Sequence, residues 1–109
     1  MANQFTNITD INTLDSLMTH SHEEPVLLFK HSTTCPISTH AHREMGQLSV
    51  PVNMVIVQSG RDISQEIARR TGVRHESPQA LVVRNGEVVW TASHYDITAE
   101  DVTRQMQEQ

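Results

Sequence analysis

The segment Val26-Leu-Leu-Phe-Lys-His-Ser-Thr-Thr-Cys-Pro-Ile-Ser38 decides the fold, because it carries the chain from an apolar strand into a helix. Its first four residues are apolar on both alternating faces, which is typical of a strand buried on both sides. Pro36 suits the first helical position, where its missing N–H costs nothing. The helix stripe consists of Ile37, Ala41, Met45 and Leu48. This spacing predicts a helix to about Ser49, with Cys35 as its N-cap.

The same pattern of strand followed by helix extends to both sides of this segment. Further strands are predicted at Phe5–Ile8, Asn53–Val57, Gln79–Val83 and Glu87–Trp90. A helix capped by Thr9 or Asp10 follows the first strand, since its apolar residues recur at helical spacing. Another helix, around Ile63, is predicted to stop at Gly72 in the left-handed conformation. Asn85-Gly86 is a strong signal for a tight hairpin between the last two strands.

The final helix has the clearest start signal. Thr98 and Asp101 resemble a capping box, and Ile97 and Val102 occupy the positions of a hydrophobic staple. The resulting element order is (β)αβαβαββα. Parallel βαβ units followed by an antiparallel hairpin predict an α/β fold with a mixed sheet and helices on both faces. We expect one domain over residues 1–109, since domains of about 100–150 residues are common.

Composition excludes several classes of function. The 109 residues carry a formal net charge of −5, without the clustered basic excess that nucleic acid requires. No apolar run approaches the roughly 20 residues of a membrane-spanning helix. The N-terminal residues lack the charged start and apolar stretch of a secretory signal. A single cysteine excludes a disulfide within the chain, so we expect a cytoplasmic protein whose unpaired thiol survives.

Cys35 is the candidate nucleophile. A helix N-terminus carries roughly +0.5 of a charge and stabilises a thiolate at the N-cap. Lys30 and His31 precede it closely, and we expect them to add positive charge and lower its pKa further. Ser38, three residues on, stands where a dithiol redoxin has its second cysteine, and its hydroxyl can donate to the thiolate. The alternative is a cysteine that only fills space in the core.

The seven histidines do not predict a metal site. His40 and His42 are two residues apart on one helix and point to different sides, and His20 and His22 share that spacing. The spacings of zinc sites are absent. His31, His75 and His94 remain candidates to approach the thiol through the fold. Pro78, in Ser77-Pro78, suits the first residue of a strand and predicts no more by itself.

Three segments resemble one known family. They are Phe29-Lys-His-Ser-Thr-Thr-Cys-Pro-Ile-Ser38, Thr71-Gly-Val-Arg-His-Glu-Ser-Pro-Gln79 and Trp90-Thr-Ala-Ser-His-Tyr-Asp-Ile-Thr98. In this order they are similar to the YtxJ-type proteins of the bacillithiol system, the monothiol bacilliredoxins. The resemblance spans about Ile11 to Val102. It implies a thioredoxin-like fold of three layers, in which helices flank a central mixed sheet.

The resemblance also implies a reaction. Cys35, supported by Pro36 and Ser38, would attack mixed disulfides between bacillithiol and protein cysteines. Bacillithiol would be a co-substrate, with no bound cofactor and no metal, and the partners would be bacillithiolated proteins and a small thiol. The Ser77–Pro78 bond would be cis. The malate group of bacillithiol favours contact with cations near the thiol. The implied substrate-binding residues are Lys30, His31, Thr34, Arg74, His75, Ser77 and Pro78.

Two other functions stay open at this point. One is a [2Fe–2S] module in which Cys35 and an external thiol ligate a cluster across a dimer, as in monothiol glutaredoxins. Cys35-Pro-Ile-Ser38 resembles the Cys-Gly-Phe-Ser of those proteins only in part, since proline replaces the glycine. The other is a stress-response interaction protein with no catalytic activity, in which Cys35 reacts no faster than a free thiol.

Overall fold

The computed structural model describes residues 4–107. Its strands are β1 (Phe5–Asn7), β2 (Val26–His31), β3 (Val52–Ile56), β4 (Gln79–Arg84) and β5 (Glu87–Ser93). Its α-helices are α1 (Ile11–His20), α2 (Pro36–Met45), α3 (Arg61–Thr71) and α4 (Ala99–Gln107). A single 3₁₀ turn, His94–Asp96, separates β5 from α4 among the described residues. This order confirms the alternation predicted from the sequence.

The strands form one mixed sheet in the order β1-β3-β2-β4-β5. β1 and β2 both run parallel to β3, whereas β4 is antiparallel to β2 and to β5. β2 therefore lies at the centre, with its carboxyl end beside the carboxyl end of β3 and the start of β4. In the register of the sheet, Lys30 is opposite Val55 on one side and Gln79 on the other. Three connecting loops consequently meet at one edge of the sheet.

Two apolar cores lie on opposite faces of this sheet. Alternate residues of β2 belong to each: Leu27 and Phe29 to the core covered by α2 and α4, and Val26 and Leu28 to the core covered by α1 and α3. All four side chains are at most 3% exposed. The predicted mixed sheet with helices on both faces is confirmed, because a strand buried on both sides requires two covering layers.

The second helix is shorter than its apolar stripe predicts. α2 ends at Met45 rather than near Ser49, and a tight turn follows in which Leu48 N–H donates to the Met45 carbonyl at 3.2 Å. Gly46 lowers helix propensity, and Pro51 disfavours helical backbone at the residue before it. Leu48 nevertheless joins the same core at 3% exposure, so its position in the stripe reflects burial and not helix.

The start of α4 is capped from two sides. Thr98 Oγ1 accepts the N–H of Asp101 at 3.2 Å, as the capping pattern predicts. The carboxylate of Asp101 pairs with Arg104, so the reciprocal half of the box is replaced by an ion pair. Glu44 of α2 supplies a second acceptor, since its Oε1 accepts the N–H of Ala99 at 2.9 Å. These contacts fix α4 against α2.

The predicted turn residues adopt the backbone that their identities indicate. Asn85 and Gly86 have φ angles of 54° and 77°, and Gly72 has a φ of 72° at the end of α3. Two hydrogen bonds anchor the hairpin turn to the end of α1. Asn85 N–H donates to the Ser21 carbonyl at 2.8 Å, and Gly86 N–H donates to Ser21 Oγ at 2.9 Å. The hairpin is therefore tied to a residue far earlier in the chain.

The two strands of the hairpin differ sharply in burial, which gives a matched test of the core. Val82 is 0% exposed and Val89 is 50% exposed. We expect Val82→Ala to lower the free energy of unfolding by roughly 2 kcal/mol, from lost burial and the cavity left behind. Val89→Ala should lower the free energy of unfolding by well under half as much, because the same two methyl groups are removed from a half-exposed position. Urea denaturation followed by circular dichroism measures both, and equal losses would contradict this core assignment.

Candidate active site

Cys35 is the N-cap of α2, as predicted. Its backbone is extended, with φ −106° and ψ 124°, and Pro36 occupies the first turn. The Cys35 carbonyl accepts the first helical hydrogen bond, from Thr39 N–H at 3.1 Å. The side chain is partly exposed. The thiol thus sits at the protein surface, at the end of a helix whose first N–H groups lack helical partners.

The first turn of α2 favours the thiolate. The backbone N–H of Ser38, followed by that of Ile37, lowers the pKa of the Cys35 thiol, and the Ser38 side chain adds a smaller effect in the same direction. Slight desolvation opposes them. The Cys35 side chain makes no capping hydrogen bond to the first turn of α2. The N–H groups of that turn therefore stabilise the thiolate through its negative charge. A surface thiol with this preference is suited to nucleophilic attack.

Ser38 also holds the loop that precedes the thiol. It is 0% exposed, and its Oγ accepts the N–H of Ser32 at 3.2 Å. Because the hydroxyl accepts this bond, its own proton remains available for the sulfur of Cys35. Ser38 therefore positions the turn as well as supporting the thiolate, a structural role that the sequence did not predict.

Gln58 is a site residue that sequence analysis missed. Its Nε2 donates to Ser32 Oγ at 2.8 Å and to Thr34 Oγ1 at 3.1 Å, while its Oε1 accepts the N–H of Thr33 at 3.3 Å. Gln58 follows β3, the parallel neighbour of β2. The signal was available in principle, because residues after adjacent parallel strands meet at the same edge of the sheet. Thr34 is exposed directly before Cys35, and its contact with substrate stays a prediction.

His31 does not supply the positive charge predicted for it. Its ring lies against Phe29 and His42, with centroid separations of 5.6 and 4.8 Å, on the α2 face of the sheet. Burial, followed by the neighbouring His42, lowers the pKa of His31, so that its imidazole is neutral at pH 7. Only 9% of the residue is exposed, and direct contact with a substrate is not available to it. Its role is packing beneath α2.

Lys30 points to the opposite face and is fully buried. It is 0% exposed, and its Nζ lies 3.1 Å from Nδ1 of His75. Burial lowers the pKa of Lys30 to about 8, which leaves most of the amine protonated at pH 7. No ion pair within residues 4–107 includes it. Lys30 thus presents no exposed surface for the ligand contact that was predicted, and its polar partner in the structure is the ring of His75.

The loop at 72–78 brings the remaining predicted residues to this edge of the sheet. The Ser77–Pro78 peptide bond is cis, as the family resemblance implied. Gln79 Nε2 donates to the Arg74 carbonyl at 2.9 Å, and the Pro78 carbonyl accepts the N–H of His94 at 3.1 Å. Arg74 is exposed. Pro78 directly precedes Gln79, which is opposite Lys30, so this loop adjoins the segment that leads to Cys35.

The histidines are distributed over the fold. His42 stacks on Phe5 with ring centroids 4.2 Å apart, whereas His40 contacts Tyr95. Their two-residue spacing thus sends them to different sides of α2, as predicted. In the part of the chain that the structure describes, no group of three or more His, Cys, Asp or Glu is arranged to hold a metal. Of the helices within 4–107, none has the length and apolar character to cross a membrane.

The lowered pKa of Cys35 has a direct kinetic consequence. The rate of alkylation by iodoacetamide follows the thiolate, so it should rise with pH around a midpoint well below the roughly 8.5 of a free cysteine. Ser38→Ala should move that midpoint upward, because one stabilising group is lost. Stopped-flow or mass measurement over a pH series gives both values. A midpoint at or above that of free cysteine would contradict the assignment of Cys35 as an activated thiol.

Lys30 should cost the protein stability. Its folded pKa of about 8 lies below the 10.5 of an ordinary lysine, so the unfolded state binds the proton more tightly. The loss of stability is complete at pH values below the folded pKa of about 8, and it disappears at pH values above the unfolded pKa of 10.5. Lys30→Met should therefore raise the free energy of unfolding at pH 7 by roughly 1–3 kcal/mol, with a smaller gain at pH 9.5. Guanidinium denaturation at both pH values measures this, and a loss at pH 7 would show that the ammonium is better stabilised.

Comparisons with known proteins agree with this geometry. A solved structure described as an oxidoreductase with a thioredoxin fold is 34% identical, with a TM-score of 0.86 over 96% of this chain and 95% of that one. The thioredoxin of Malassezia sympodialis (15% identity, 96% and 90% covered) and that of Trypanosoma brucei brucei (12%, 97% and 89%) both have TM-scores of 0.74. They share the fold, which is thioredoxin-like. The monothiol bacilliredoxin BrxC profile matches residues 6–102, so the chain belongs to that family of thiol redox proteins.

Proposed function

We propose that this protein removes bacillithiol from mixed disulfides with protein cysteines by thiol–disulfide exchange at Cys35. The observation that carries the proposal is a single, partly exposed thiol whose ionised form is favoured by the N–H groups of Ser38 and Ile37. Family membership supports bacillithiol as the co-substrate. Bacillithiolated proteins are then the partners. The coarser conclusion, a thiol oxidoreductase of thioredoxin-like fold, does not depend on which small thiol is used.

The exchange proceeds by one substitution at sulfur. The Cys35 thiolate attacks the bacillithiol sulfur of the mixed disulfide, a Cys35–bacillithiol bond forms, and the bond to the target protein breaks. The target leaves as a thiolate and takes a proton from solvent. Cys35 is the only cysteine of the chain, so the product cannot be resolved internally. A second, external thiol must attack it to release bacillithiol and restore Cys35.

Neighbouring groups are suited to hold the disulfide in line for this attack. Pro36 fixes the backbone at the N-cap, and the Ser38 hydroxyl can donate a hydrogen bond to the Cys35 sulfur while that sulfur is a thiolate, before the attack. The backbone of Ser77, before the cis bond to Pro78, would hydrogen-bond an extended substrate strand in this reaction. The exposed side chains of Thr34 and Arg74 flank this edge. Each of these contributes by orientation, and Cys35 alone undergoes the bond change.

A de-thiolation assay tests the proposal. A bacillithiolated test protein is mixed with the wild-type protein, and both are followed by intact mass. The target should lose bacillithiol while a one-to-one adduct accumulates on Cys35 until an external thiol is added. Cys35→Ser should abolish transfer, because a hydroxyl is scarcely ionised at neutral pH. Ser38→Ala should retain transfer at a moderately lower rate.

The controls separate exchange from other roles. Oxidised glutathione, offered in place of the bacillithiol mixed disulfide, reports whether Cys35 discriminates between small thiols. Circular dichroism of Cys35→Ser confirms that the variant is folded. Release of bacillithiol by Cys35→Ser at the wild-type rate, or failure of the wild type to form the adduct, would overturn the proposal. The latter result would favour the non-catalytic interaction role.

A further inference from the structure

A cavity of about 350 Å³ opens beside the thiol loop, between the end of β3, the first turns of α3 and the loop at 72–78. It is lined by Val57, Gln58, Arg61, Ser64, Gln65 and His75. Its volume falls within the range of small-ligand sites. Five of the six lining side chains carry hydrogen-bond donors, and none carries a carboxylate. The lining is thus suited to an anion.

The cavity adjoins the segment that leads to Cys35. Gln58 lines the cavity and also donates its amide N–H groups to Ser32 and Thr34, at 2.8 and 3.1 Å. A small thiol bonded to the Cys35 sulfur therefore has the cavity on the Gln58 side of the loop.

Ser64 supplies a donor that the folded protein leaves unused. The residue is 3% exposed, and its Oγ has no hydrogen-bond partner within residues 4–107. A buried hydroxyl without a partner is costly, so it calls for an explanation, and an acceptor bound in the cavity provides one. Ser64 lies in the first turns of α3, whose N-cap Gly60 provides no side-chain acceptor for the adjacent N–H groups. Both features favour an acceptor in the cavity.

His75 presents a second donor because Lys30 fixes its tautomer. A lysine ammonium has donors only, so Nδ1 of His75 accepts at 3.1 Å and the ring proton resides on Nε2. Burial, followed by the charge of Lys30, lowers the pKa of His75 against the opposing charge of Glu76, so the neutral ring predominates at pH 7. His75 therefore lies between the buried ammonium of Lys30 and the cavity. Its neutral ring accepts a hydrogen bond from Lys30 at Nδ1 and can donate one at Nε2.

Arg61 is the one charged side chain among the residues that line the cavity. Arg61 lines it and is exposed, with no ion pair among those of the described chain, and Lys30 lies behind His75. The nearest acidic residues in sequence, Asp62 and Glu76, do not line it, although the charge of Glu76 does act on His75. A carboxylate entering the cavity would meet Arg61, the Ser64 hydroxyl and His75 together. An arginine is also the side chain that best matches the planar geometry of a carboxylate.

We propose that this cavity binds the carboxylate end of the small thiol that Cys35 accepts. The inference rests on the proposed exchange reaction and assigns recognition of the malate carboxylates of bacillithiol to one place in the fold. Arg61 and Ser64 are then specificity-determining residues outside the Cys35 turn. The cavity selects which small thiol is transferred, while α2 supplies the chemistry.

A titration with malate tests the site without any redox step. In proton–nitrogen correlation spectra of the wild-type protein, malate should cause saturable shifts of the Arg61, Ser64 and His75 amides. Dimethyl malate, which lacks the charges, should cause none. Arg61→Gln should weaken malate binding about tenfold, which is 1.4 kcal/mol at 25 °C. Arg43→Gln removes the same charge from the exposed face of α2 and should bind as the wild type does.

Absence of saturable shifts, or equal affinity in wild type and Arg61→Gln, would overturn the site. A kinetic comparison then separates this inference from the exchange itself. Arg61→Gln and Ser64→Ala should slow release of bacillithiol from a test protein and leave release of neutral 2-mercaptoethanol unchanged. Equal rates for both thiols in all variants would overturn the cavity's role and leave the exchange intact. No transfer of either thiol by the wild type would overturn both.

Discussion

The burial of β2 on both faces is the constraint on which the rest of the structure depends. All six of its residues are buried, including Lys30 and His31 at its carboxyl end. A strand in this position needs a layer of helices on each side, and both layers are present. The same burial forces two titratable side chains into opposite halves of the protein. The surroundings of the two side chains differ. His31 is a neutral ring packed among aromatic rings, and Lys30 is a buried cation next to His75.

The sequence predicted the parts of the site that local chemistry determines. Cys35 followed by Pro36 indicates an N-cap, and apolar residues before and after it indicate the strand and helix. Gln58 was not predicted, because its partners lie 24 to 26 residues away and are chosen by the pairing of β2 with β3. Hydropathy also treats lysine as a surface residue, so the burial of Lys30 became visible only once its strand was placed in the sheet.

The same limits explain the helix that ended early. A stripe of apolar residues records which positions face the core, and a tight turn can place a residue there as well as a helix can. Leu48 does so at the end of α2, three residues after the helix stops. Where the sequence offered both a periodicity and a stop signal, as at Gly72, the predicted end was right. Gly46 and Pro51 are weaker stop signals than Gly72, so the apolar periodicity outweighed them and the predicted helix was too long.

The strand order also determines when the central strand acquires its last neighbour. β1, β3 and β2 come from the first half of the chain, whereas β4 begins at Gln79, nearly fifty residues after β2 ends. During synthesis β2 is therefore an apolar edge strand whose outer N–H and C=O groups wait for the hairpin. Such edges are templates for pairing with other chains. The hydrogen bonds from Asn85 and Gly86 to Ser21 hold the late hairpin against the early half, so closing the sheet and protecting the nascent chain from aggregation are one event.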